Sequence, residues 1–408
     1  MRVLLTDGSG LTSRQVATQL SSAGHVVEVL SPDRLCLTRF TRHVRRVHRV
    51  PPYGADAFAW MEATLGVFCD RGFDVLFPTQ EQVAVLSREA RRLRDLHVAT
   101  AVPRFEALAR VQDKLRAFAT LGELGLPQPD GEIVTSACDL ALWERFPVYV
   151  KTPVGTATTG VRKVLDAVAM QRLAAEYKAQ GVFGNGGVLV QSLVRGELAM
   201  AQSVFAEGQL VAFHANLRVR EGVSGGASHK RSVDPSPFRE QIGFLGKRLG
   251  WHGALSADAI VSREGPLLID INPRLVEPGN AWRAGVDLVS VLLDVASAKT
   301  PAAEPAGRPE VATHQLLLAL LGAAQEGRGR MGVLAELLDA ARHKGTYDRS
   351  TEELTPTAGD PRSAMPIVAA IVALMVQPAS WRRFSSGSVA SYALSPEGWR
   401  EILSRSTD

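Results

Sequence analysis

Short apolar runs alternate with helix-like patterns along the first hundred residues. The runs lie at residues 3–5, 26–30 and 74–78. Between the first two, residues 12–15 form a capping-box pattern, and Val16 and Leu20 follow at helical spacing. A second helical pattern covers residues 79–96. Strands that alternate with helices are typical of βα units, so the sequence predicts an α/β, Rossmann-like beginning with a parallel sheet.

A glycine turn follows the first predicted strand. Gly8 and Gly10 form a Gly-x-Gly-x-x-Ser pattern, and Glu28 lies near the end of the second strand, where an acid that binds a ribose would sit. A nicotinamide-dependent oxidoreductase would use these features. Tight βα turns also use glycine for backbone reasons alone, so the pattern leaves both interpretations open.

Five arginines and two histidines lie between residues 39 and 49, just before Pro51. Such a cluster suits a contact with phosphate or nucleic acid. It also suits the solvated face of a short helix that leads into a strand. The small net charge of the chain favours this second interpretation.

The character of the sequence changes near Val111. A helix is predicted to open at residues 112–114, and residues 146–151 read as a strand that ends in Lys151. A turn rich in Gly and Thr follows at 155–160, and an apolar strand covers 188–191. Residues 254–260 and 267–271 predict two adjacent strands.

Beyond residue 300 an Ala-, Pro- and Glu-rich stretch suggests a linker that reaches about Glu310. The last hundred residues predict a separate, largely helical portion. Its apolar run at 367–376 is about half of the ~20 residues that a membrane span needs, so it is interpreted as a buried helix or strand.

The candidate chemistry is concentrated in the predicted hairpin. Asp270 and Asn272 project to one face because they are two residues apart, and Asp258 can face them from the partner strand. Two carboxylates and an amide oxygen are ligands suited to Mg²⁺. Arg274 follows two residues later and can grip a phosphoryl group or a carboxylate with a bidentate fork. A pair of strand-end acids bridged to Arg274 is the simpler structural alternative.

Two lysines on separate elements extend this pattern. Lys114 lies at a helix start and Lys151 at a strand end, and each can act as a point charge on a triphosphate. The turn at 155–160 offers backbone N–H groups and threonine hydroxyls to phosphate oxygens. The ordered set of lysines, turn and metal hairpin predicts phosphoryl chemistry.

With these motifs the chain resembles the ATP-grasp superfamily over about residues 1–295. The resemblance implies a Rossmann-like domain at 1–97 and an ATP-grasp domain at 98–300, with a lid subdomain at about 130–190. A mostly helical C-terminal domain would occupy 301–408. The implied cofactors are ATP and Mg²⁺, with Mn²⁺ as an option.

The resemblance also implies roles for individual residues. Lys114 and Lys151 would contact ATP phosphates, Glu197 would hold the ribose, and Arg274 would stabilise the transferred phosphate. The flexible loop would contain Thr156, Thr158, Thr159 and Gly160; the adenine hinge would contain Gln191, Ser192, Leu193 and Val194; and the metal would be held by Asp258, Asp270 and Asn272. The chain departs from the common pattern by a glycine-poor loop, by Gln191 where Glu is common, and by two metal acids that are both Asp.

The reaction implied is that of a carboxylate–amine ligase, which forms an amide or peptide bond through an acylphosphate and releases ADP and phosphate. Cationic partners for a carboxylate substrate are expected in the segment 218–231, with Arg220, His229 and Arg231 as the candidates. His229 can also be a general base or only a hydrogen-bonding residue. A biotin-carboxylase-like enzyme and a non-catalytic ATP-binding regulatory module stay open as alternatives.

Composition narrows the partners. The chain has 408 residues, 46% of them hydrophobic, and a formal net charge of +4. These values exclude a disordered tail protein and argue against nucleic-acid binding. Three scattered cysteines and no signal-peptide pattern predict a cytoplasmic enzyme with no membrane partner. We expect an amino-acid-like acid and amine as substrates, and the resemblance leaves room for a homodimer.

Overall fold

The computed structural model describes residues 1–155, 160–302 and 305–405. The first unit contains β1 (Arg2–Leu5), α1 (Leu11–Ser22), β2 (Val26–Ser31), β3 (Arg46–Arg49), α2 (Ala57–Arg71), β4 (Val75–Phe77), α3 (Val83–Arg88) and α4 (Ala90–Asp95). Within these ranges its four strands form a parallel sheet in the order β3-β2-β1-β4. The predicted Rossmann-like beginning is confirmed.

Two local predictions in this unit are wrong. Helix α1 begins at Leu11 and has no side-chain cap, so residues 12–15 are not a capping box. The Thr12 hydroxyl instead accepts a hydrogen bond from the Glu277 backbone N–H at 3.0 Å, and the Gln15 side chain accepts one from Gly279 at 2.7 Å. Thr12 and Gln15 therefore bind the loop that contains Glu277 and Gly279, which is distant in the sequence. The pattern at 79–96 forms two short helices rather than one.

Two helices, α5 (Phe105–Ala109) and α6 (Lys114–Glu123), lead to the second unit. Asp113 caps α6 by accepting a hydrogen bond from the Arg116 backbone N–H at 2.8 Å, so the predicted helix start is confirmed. The second unit contains β5 (Gly131–Val134), α7 (Ala137–Ala141), β6 (Val148–Lys151), β7 (Val161–Val164), α8 (Ala167–Ala179) and β8 (Val188–Ser192). Its described strands pair antiparallel in the order β5-β8-β6-β7. We call this unit the lid sheet.

The third unit is a large sheet with helices on both faces, which we call the central sheet. It contains β9 (Glu197–Ala206), β10 (Gln209–Glu221), β11 (Ala227–Ser232), α9 (Ser236–Leu249), β12 (Gly253–Ser262), β13 (Gly265–Asn272), α10 (Gly279–Ala284) and α11 (Leu288–Ala296). Consecutive residues of β9 point to opposite faces. Phe205 packs in the cluster that holds Leu245 of α9, whereas Val204 packs in the cluster that holds Leu292 of α11.

The C-terminal portion contains β14 (Ala312–His314), α12 (Leu316–Gln325), α13 (Gly329–Ala341), β15 (Thr351–Glu352), α14 (Ala364–Val376), α15 (Trp381–Ala390) and α16 (Pro396–Ser404). It is mostly helical, as predicted. However, β14 pairs with β11 and β15 pairs with β14. Over the described residues the central sheet therefore runs β13-β12-β9-β10-β11-β14-β15, and this portion is not packed as a separate body. The predicted division into domains at 1–97, 98–300 and 301–408 stays a prediction.

The apolar run at 367–376 forms most of helix α14. Ile367, Ala370 and Leu374 are buried, as expected, but Val372 and Val376 on the other face are 58% and 72% exposed. The run is thus a half-buried helix. In the described part of the chain no helix is long and apolar enough to cross a membrane.

Candidate active site

The hairpin β12–β13 brings the predicted metal ligands together. Its antiparallel register places Asp258 directly opposite Asp270, and Ser256 opposite Asn272. The Asn272 amide nitrogen donates to Asp258 Oδ2 at 3.4 Å. Two carboxylates and an amide therefore share one face near the end of the hairpin.

The electrostatics of the hairpin favour a cation. Burial, together with the charge of Asp270, raises the pKa of Asp258 to about 7. Two facing carboxylates are stable in the ionised form only when positive charge is near. The donor set of two carboxylates and one amide oxygen therefore fits a magnesium ion. Among the described residues no group of three or more His, Cys, Asp and Glu is arranged for a metal, so the amide completes the set.

The two predicted phosphate lysines converge on this hairpin from different elements. Lys114, at the first turn of α6, lies with its Nζ 3.6 Å from Asp270 Oδ2 and donates to the Gly155 carbonyl at 3.0 Å. Lys151, at the end of β6, is 6% exposed and donates to Gln191 Oε1 and to the Ile269 carbonyl, both at 2.8 Å. Burial lowers the pKa of Lys151 to about 8.

The predicted hinge lies between the lid sheet and the central sheet. Gln191 and Ser192 end β8, Leu193 and Val194 follow in the connection, and Glu197 begins β9 with an exposed side chain. Gly196 passes so close to β12 that an added Cβ would lie 2.3 Å from the Val261 carbonyl oxygen. The chain therefore needs glycine at this crossing.

A narrow cleft runs between α6, the lid sheet and β13. Its volume is about 10 Å³, which is room for about one water molecule. Most of its walls are apolar side chains, among them Phe118, Leu189 and Leu268, and Lys114, Gln191 and Asp270 also line it. An aromatic base is larger than this volume, so it would need a wider cleft than the structure shows.

The loop after β6 is described at its two ends. Thr156, Thr158 and Thr159, predicted to contact phosphates, lie outside the described residues. Gly160 accepts a hydrogen bond from the Thr152 backbone N–H at 2.8 Å and has a positive φ of 79°. A Cβ at this position would lie 2.0 Å from the Thr152 hydroxyl, so glycine is required where the loop returns to β7.

Arg274 points from the hairpin end toward the first unit. Its Nε and one terminal nitrogen donate to Glu81 Oε1 at 3.3 and 3.2 Å, and the Gln112 amide donates to the other Glu81 oxygen at 3.2 Å. Glu81 follows β4 at the carboxyl edge of the first sheet, the edge at which α/β folds bind ligands. The sequence offered this signal, but Glu81 was not among the predicted residues.

The segment 218–231 does not bring its three predicted residues to the hairpin carboxylates. The Arg220 guanidinium donates to both oxygens of Glu336 at 2.6 and 2.7 Å. Arg231 contacts Glu310 on the surface at 2.8 Å. A register shift between Arg218 and Arg220 interrupts the alternation of β10. Together with Arg274, whose effect is larger, it is Arg218 of this segment whose charge reaches Asp258.

His229 is also held by the C-terminal portion. Its ring packs against Tyr347 with centroids 4.6 Å apart, and its Nε2 lies 3.1 Å from the Thr346 hydroxyl. Burial, with the charge of Arg220, lowers the pKa of His229 to about 4, so the ring is neutral near pH 7. The role of His229 as a general base therefore gains no support from its contacts.

Lys230, which lies between His229 and Arg231 on β11, contacts two glutamates instead of the residues that its neighbours contact. Its Nζ lies 2.6 Å from Glu277 and 2.6 Å from Glu353, and the lysine is 3% exposed. Because side chains alternate along a strand, His229 and Arg231 point to the opposite face of β11 from Lys230, and their role toward a carboxylate substrate stays a prediction. Gln315 donates to the same two glutamates.

In the glycine turn after β1, backbone N–H groups already donate to a side chain of the same turn. Asp7 Oδ2 accepts hydrogen bonds from the backbone N–H groups of Ser9 and Gly10 at 3.0 and 2.6 Å. Glu28 lies in the middle of β2 and is bonded to His48 at 2.6 Å. The N–H groups of the turn and the Glu28 carboxylate are therefore both engaged within the protein. Neither is available to bind a dinucleotide, so the structure does not support the oxidoreductase alternative.

The architecture is a Rossmann-like unit followed by a lid sheet and a central sheet that meet at two lysines and paired acids, which is the ATP-grasp fold. No protein-family model matches the chain. The biotin carboxylase domain of the Hydrogenobacter thermophilus 2-oxoglutarate carboxylase, a dimer solved with MgADP and bicarbonate, is similar with a TM-score of 0.61 and 16% identity, over 76% of this chain and 73% of that one.

Two further proteins are similar to this chain. The L-amino acid ligase of Bacillus licheniformis has a TM-score of 0.58 and 15% identity, over 76% of this chain and 78% of its own. The ribosomal protein bS6–L-glutamate ligase of Escherichia coli O81 (strain ED1a) is 24% identical over 307 residues, which are 71% of this chain and 93% of the ligase. At these identities the likeness establishes the fold.

Proposed function

We propose that the chain is an ATP-dependent carboxylate–amine ligase that forms an amide or peptide bond through an acylphosphate and releases ADP and phosphate. The observation that carries the proposal is the pairing of Asp258 with Asp270 across the hairpin, with Lys114 3.6 Å from Asp270. The similar ligases act by name on L-amino acids and on L-glutamate with a ribosomal protein, which supports an amino-acid-like substrate here.

In this proposal each element of the site has one task. Asp258, Asp270 and Asn272 hold magnesium, which supplies charge neutralisation for the ATP phosphates when bound. Lys114 and Lys151 bind the phosphates as point charges. Lys151 exchanges its contacts with Gln191 and the Ile269 carbonyl for phosphate oxygens as the cleft opens. Gln191 to Val194 line the base, and Glu197 lies at the ribose.

Arg274 acts where the two substrates meet. It contacts Glu81 of the first unit from the end of the hairpin, which supports a position of its guanidinium between the proposed nucleotide site and the carboxyl edge of the first sheet. A planar guanidinium binds a carboxylate or a phosphoryl group through two hydrogen bonds. We assign Arg274 to the carboxylate as it becomes phosphorylated, with Glu81 as the residue that positions it.

The amine substrate would bind beside Lys230. There two glutamates, Glu277 and Glu353, face one lysine, which leaves an excess of one negative charge. Glu353 Oε2 and Gln315 Oε1 are buried without a hydrogen-bond partner among the described residues. Two buried acceptors that lack donors favour a ligand that carries N–H groups, and an ammonium group satisfies both the charge and the hydrogen bonds.

Product analysis tests the proposal. Purified protein is incubated with Mg²⁺-ATP and pooled amino acids, with and without hydroxylamine, which traps an acylphosphate as a hydroxamate. We expect ADP and a hydroxamate that depends on one acid in the pool. AMP as the nucleotide product would contradict the acylphosphate route, and ATP binding without any ADP would favour the regulatory module. An arm with bicarbonate and no amino acid detects a carboxylating enzyme.

A further inference from the structure

An arginine-lined cavity of about 330 Å³ opens at the amino-terminal edge of the first sheet. Its lining residues are Arg2, Glu28, Arg45, Arg46 and Arg71. Arg2 begins β1, Arg46 begins β3, and Arg71 ends α2. The cavity is therefore formed where three separate elements meet, not by one run of surface residues.

The charges in this cavity are not balanced by the protein. Glu28 is its one carboxylate; it already contacts His48 at 2.6 Å and Arg2 at 3.5 Å. Arg45, Arg46 and Arg71 form no ion pair within the ranges that the structure describes. Residues 34–55 contain six arginines and no Asp or Glu. Outside the lining, Asp74 accepts a hydrogen bond from the Arg2 backbone N–H at 2.7 Å, so arginines still outnumber carboxylates around the cavity. Like charges that line one cavity repel one another, and an anion between them relieves this repulsion.

One arginine is held in place before any ligand arrives. Arg2 donates to the Arg71 and Gly72 carbonyls at the end of α2, and its guanidinium lies 4.9 Å from the centre of the Phe73 ring. Its Nε is buried and has no hydrogen-bond partner among the described residues. A fixed guanidinium loses little conformational entropy when it binds an anion.

The cavity lies apart from the candidate active site. Glu81, which contacts Arg274, follows the carboxyl end of β4. The arginines lie at the opposite end of the same parallel strands. A ligand in the cavity would therefore leave the nucleotide and substrate positions free.

We propose that this cavity binds a small polyanion, either a phosphate ester or a polycarboxylate, at a site separate from the nucleotide. Arginine forks match the oxygen pairs of both groups. The volume lies at the lower end of the range of small-ligand pockets. The site is independent of the proposed ligase reaction.

Calorimetric titration tests the site. Inorganic pyrophosphate and citrate are titrated separately, in EDTA at low ionic strength, into the wild-type chain and into two double variants. Arg45→Gln with Arg46→Gln removes two guanidinium groups from the cavity. Arg91→Gln with Arg94→Gln removes two exposed arginines of α4 and is the matched control.

We expect the cavity variant to bind at least tenfold more weakly than the wild type, with no change in the control and none in ATP affinity in either variant. A loss confined to pyrophosphate assigns phosphate esters, and a loss confined to citrate assigns polycarboxylates. No binding by the wild type, or equal binding by the cavity variant, overturns the proposal. Thermal unfolding checks that both variants fold.

Discussion

The hairpin carboxylates and the Arg220–Glu336 cluster differ in how their charges are satisfied. At the hairpin, Asp258 faces Asp270, and the nearest lysine nitrogen lies 3.6 Å from Asp270. In the cluster, Glu336 accepts from Arg220, Arg328 and Tyr347 and is 2% exposed. In the first region two carboxylates face each other, and among the described residues Asp270 has a lysine nitrogen within 4 Å whereas Asp258 has no ion pair. In the second region one carboxylate is paired with two arginines inside the protein.

This difference distinguishes a ligand-binding site from a cluster that only stabilises the fold. A group of like charges persists in a fold when a ligand is needed to complete it, because stability alone would select a paired arrangement. The paired cluster joins β10 to α13 and so fastens the C-terminal helices to the central sheet. We therefore assign ligand binding and catalysis to the hairpin, and attachment of the C-terminal helices to the cluster.

The largest effect is expected at the hairpin. Asp270→Asn removes a metal carboxylate, and we expect ADP formation to fall about 100-fold or more, the scale of losing a charged group that acts on the transition state. Far-UV circular dichroism should be unchanged. The matched control is Glu264→Gln in the exposed turn of the same hairpin. Normal turnover by Asp270→Asn would remove this residue from the metal site.

The cluster should respond in stability and not in turnover. Glu336→Gln leaves Arg220 and Arg328 without their carboxylate, and we expect the free energy of unfolding to fall by about 2–4 kcal/mol. Denaturant unfolding measures this, with Asp339→Asn on the same helix as the control. The kcat for ADP formation should stay within about twofold of wild type. A large loss of kcat in a stably folded variant would place the cluster in the active site.

Arg274→Lys tests whether the arginine that follows the hairpin acts in the reaction or only stabilises the fold. The substitution keeps the charge but loses the planar fork, so we expect kcat to fall about tenfold while the KM for ATP stays unchanged. Steady-state kinetics measures both constants, and Arg263→Lys in the exposed hairpin turn is the control. A change confined to KM would count against a role on the transferred phosphoryl group.

A smaller effect is expected from pH. Because burial lowers the pKa of Lys151 to about 8, the free protein loses this positive charge as pH rises through 8. ATP affinity should then fall by up to about tenfold per pH unit. Protein stability should move the other way between pH 8 and about 10, since the unfolded chain binds the proton more tightly there.

Titrations of ATP at several pH values measure this effect. Lys151→Gln should bind ATP more weakly and show no such dependence. Lys163→Gln, an exposed lysine of the same lid sheet, should behave as wild type. Equal ATP affinity of the wild type at pH 7 and pH 9.5 would contradict the role of Lys151.

The hairpin was predictable because its geometry depends on residues that are close together in the sequence. The spacing of Asp258, Asp270 and Asn272 fixes their faces once two strands and a turn are recognised, and Lys151 is fixed by the end of its strand. The parallel order of the first sheet follows in the same way from alternating strands and helices.

Contacts between distant parts of the chain were not predictable. Arg220 and Glu336 are separated by 116 residues, and Arg274 and Glu81 by 193. No periodicity in the sequence records such pairs. Strand β14 joins the central sheet with three residues, too short a run for an alternation pattern. The bulge in β10 altered the face of Arg220, and bulges leave no mark in the spacing of polar residues.

ATP affinity with and without magnesium tests the central claim most directly. Calorimetry gives the dissociation constant of ATP for the wild type and for the double variant Asp258→Asn with Asp270→Asn, first in EDTA and then with excess Mg²⁺. We predict that Mg²⁺ tightens binding at least tenfold in the wild type and has no effect in the double variant. An equal effect of Mg²⁺ on both proteins, or none on either, would show that the paired carboxylates do not hold the metal of the nucleotide site.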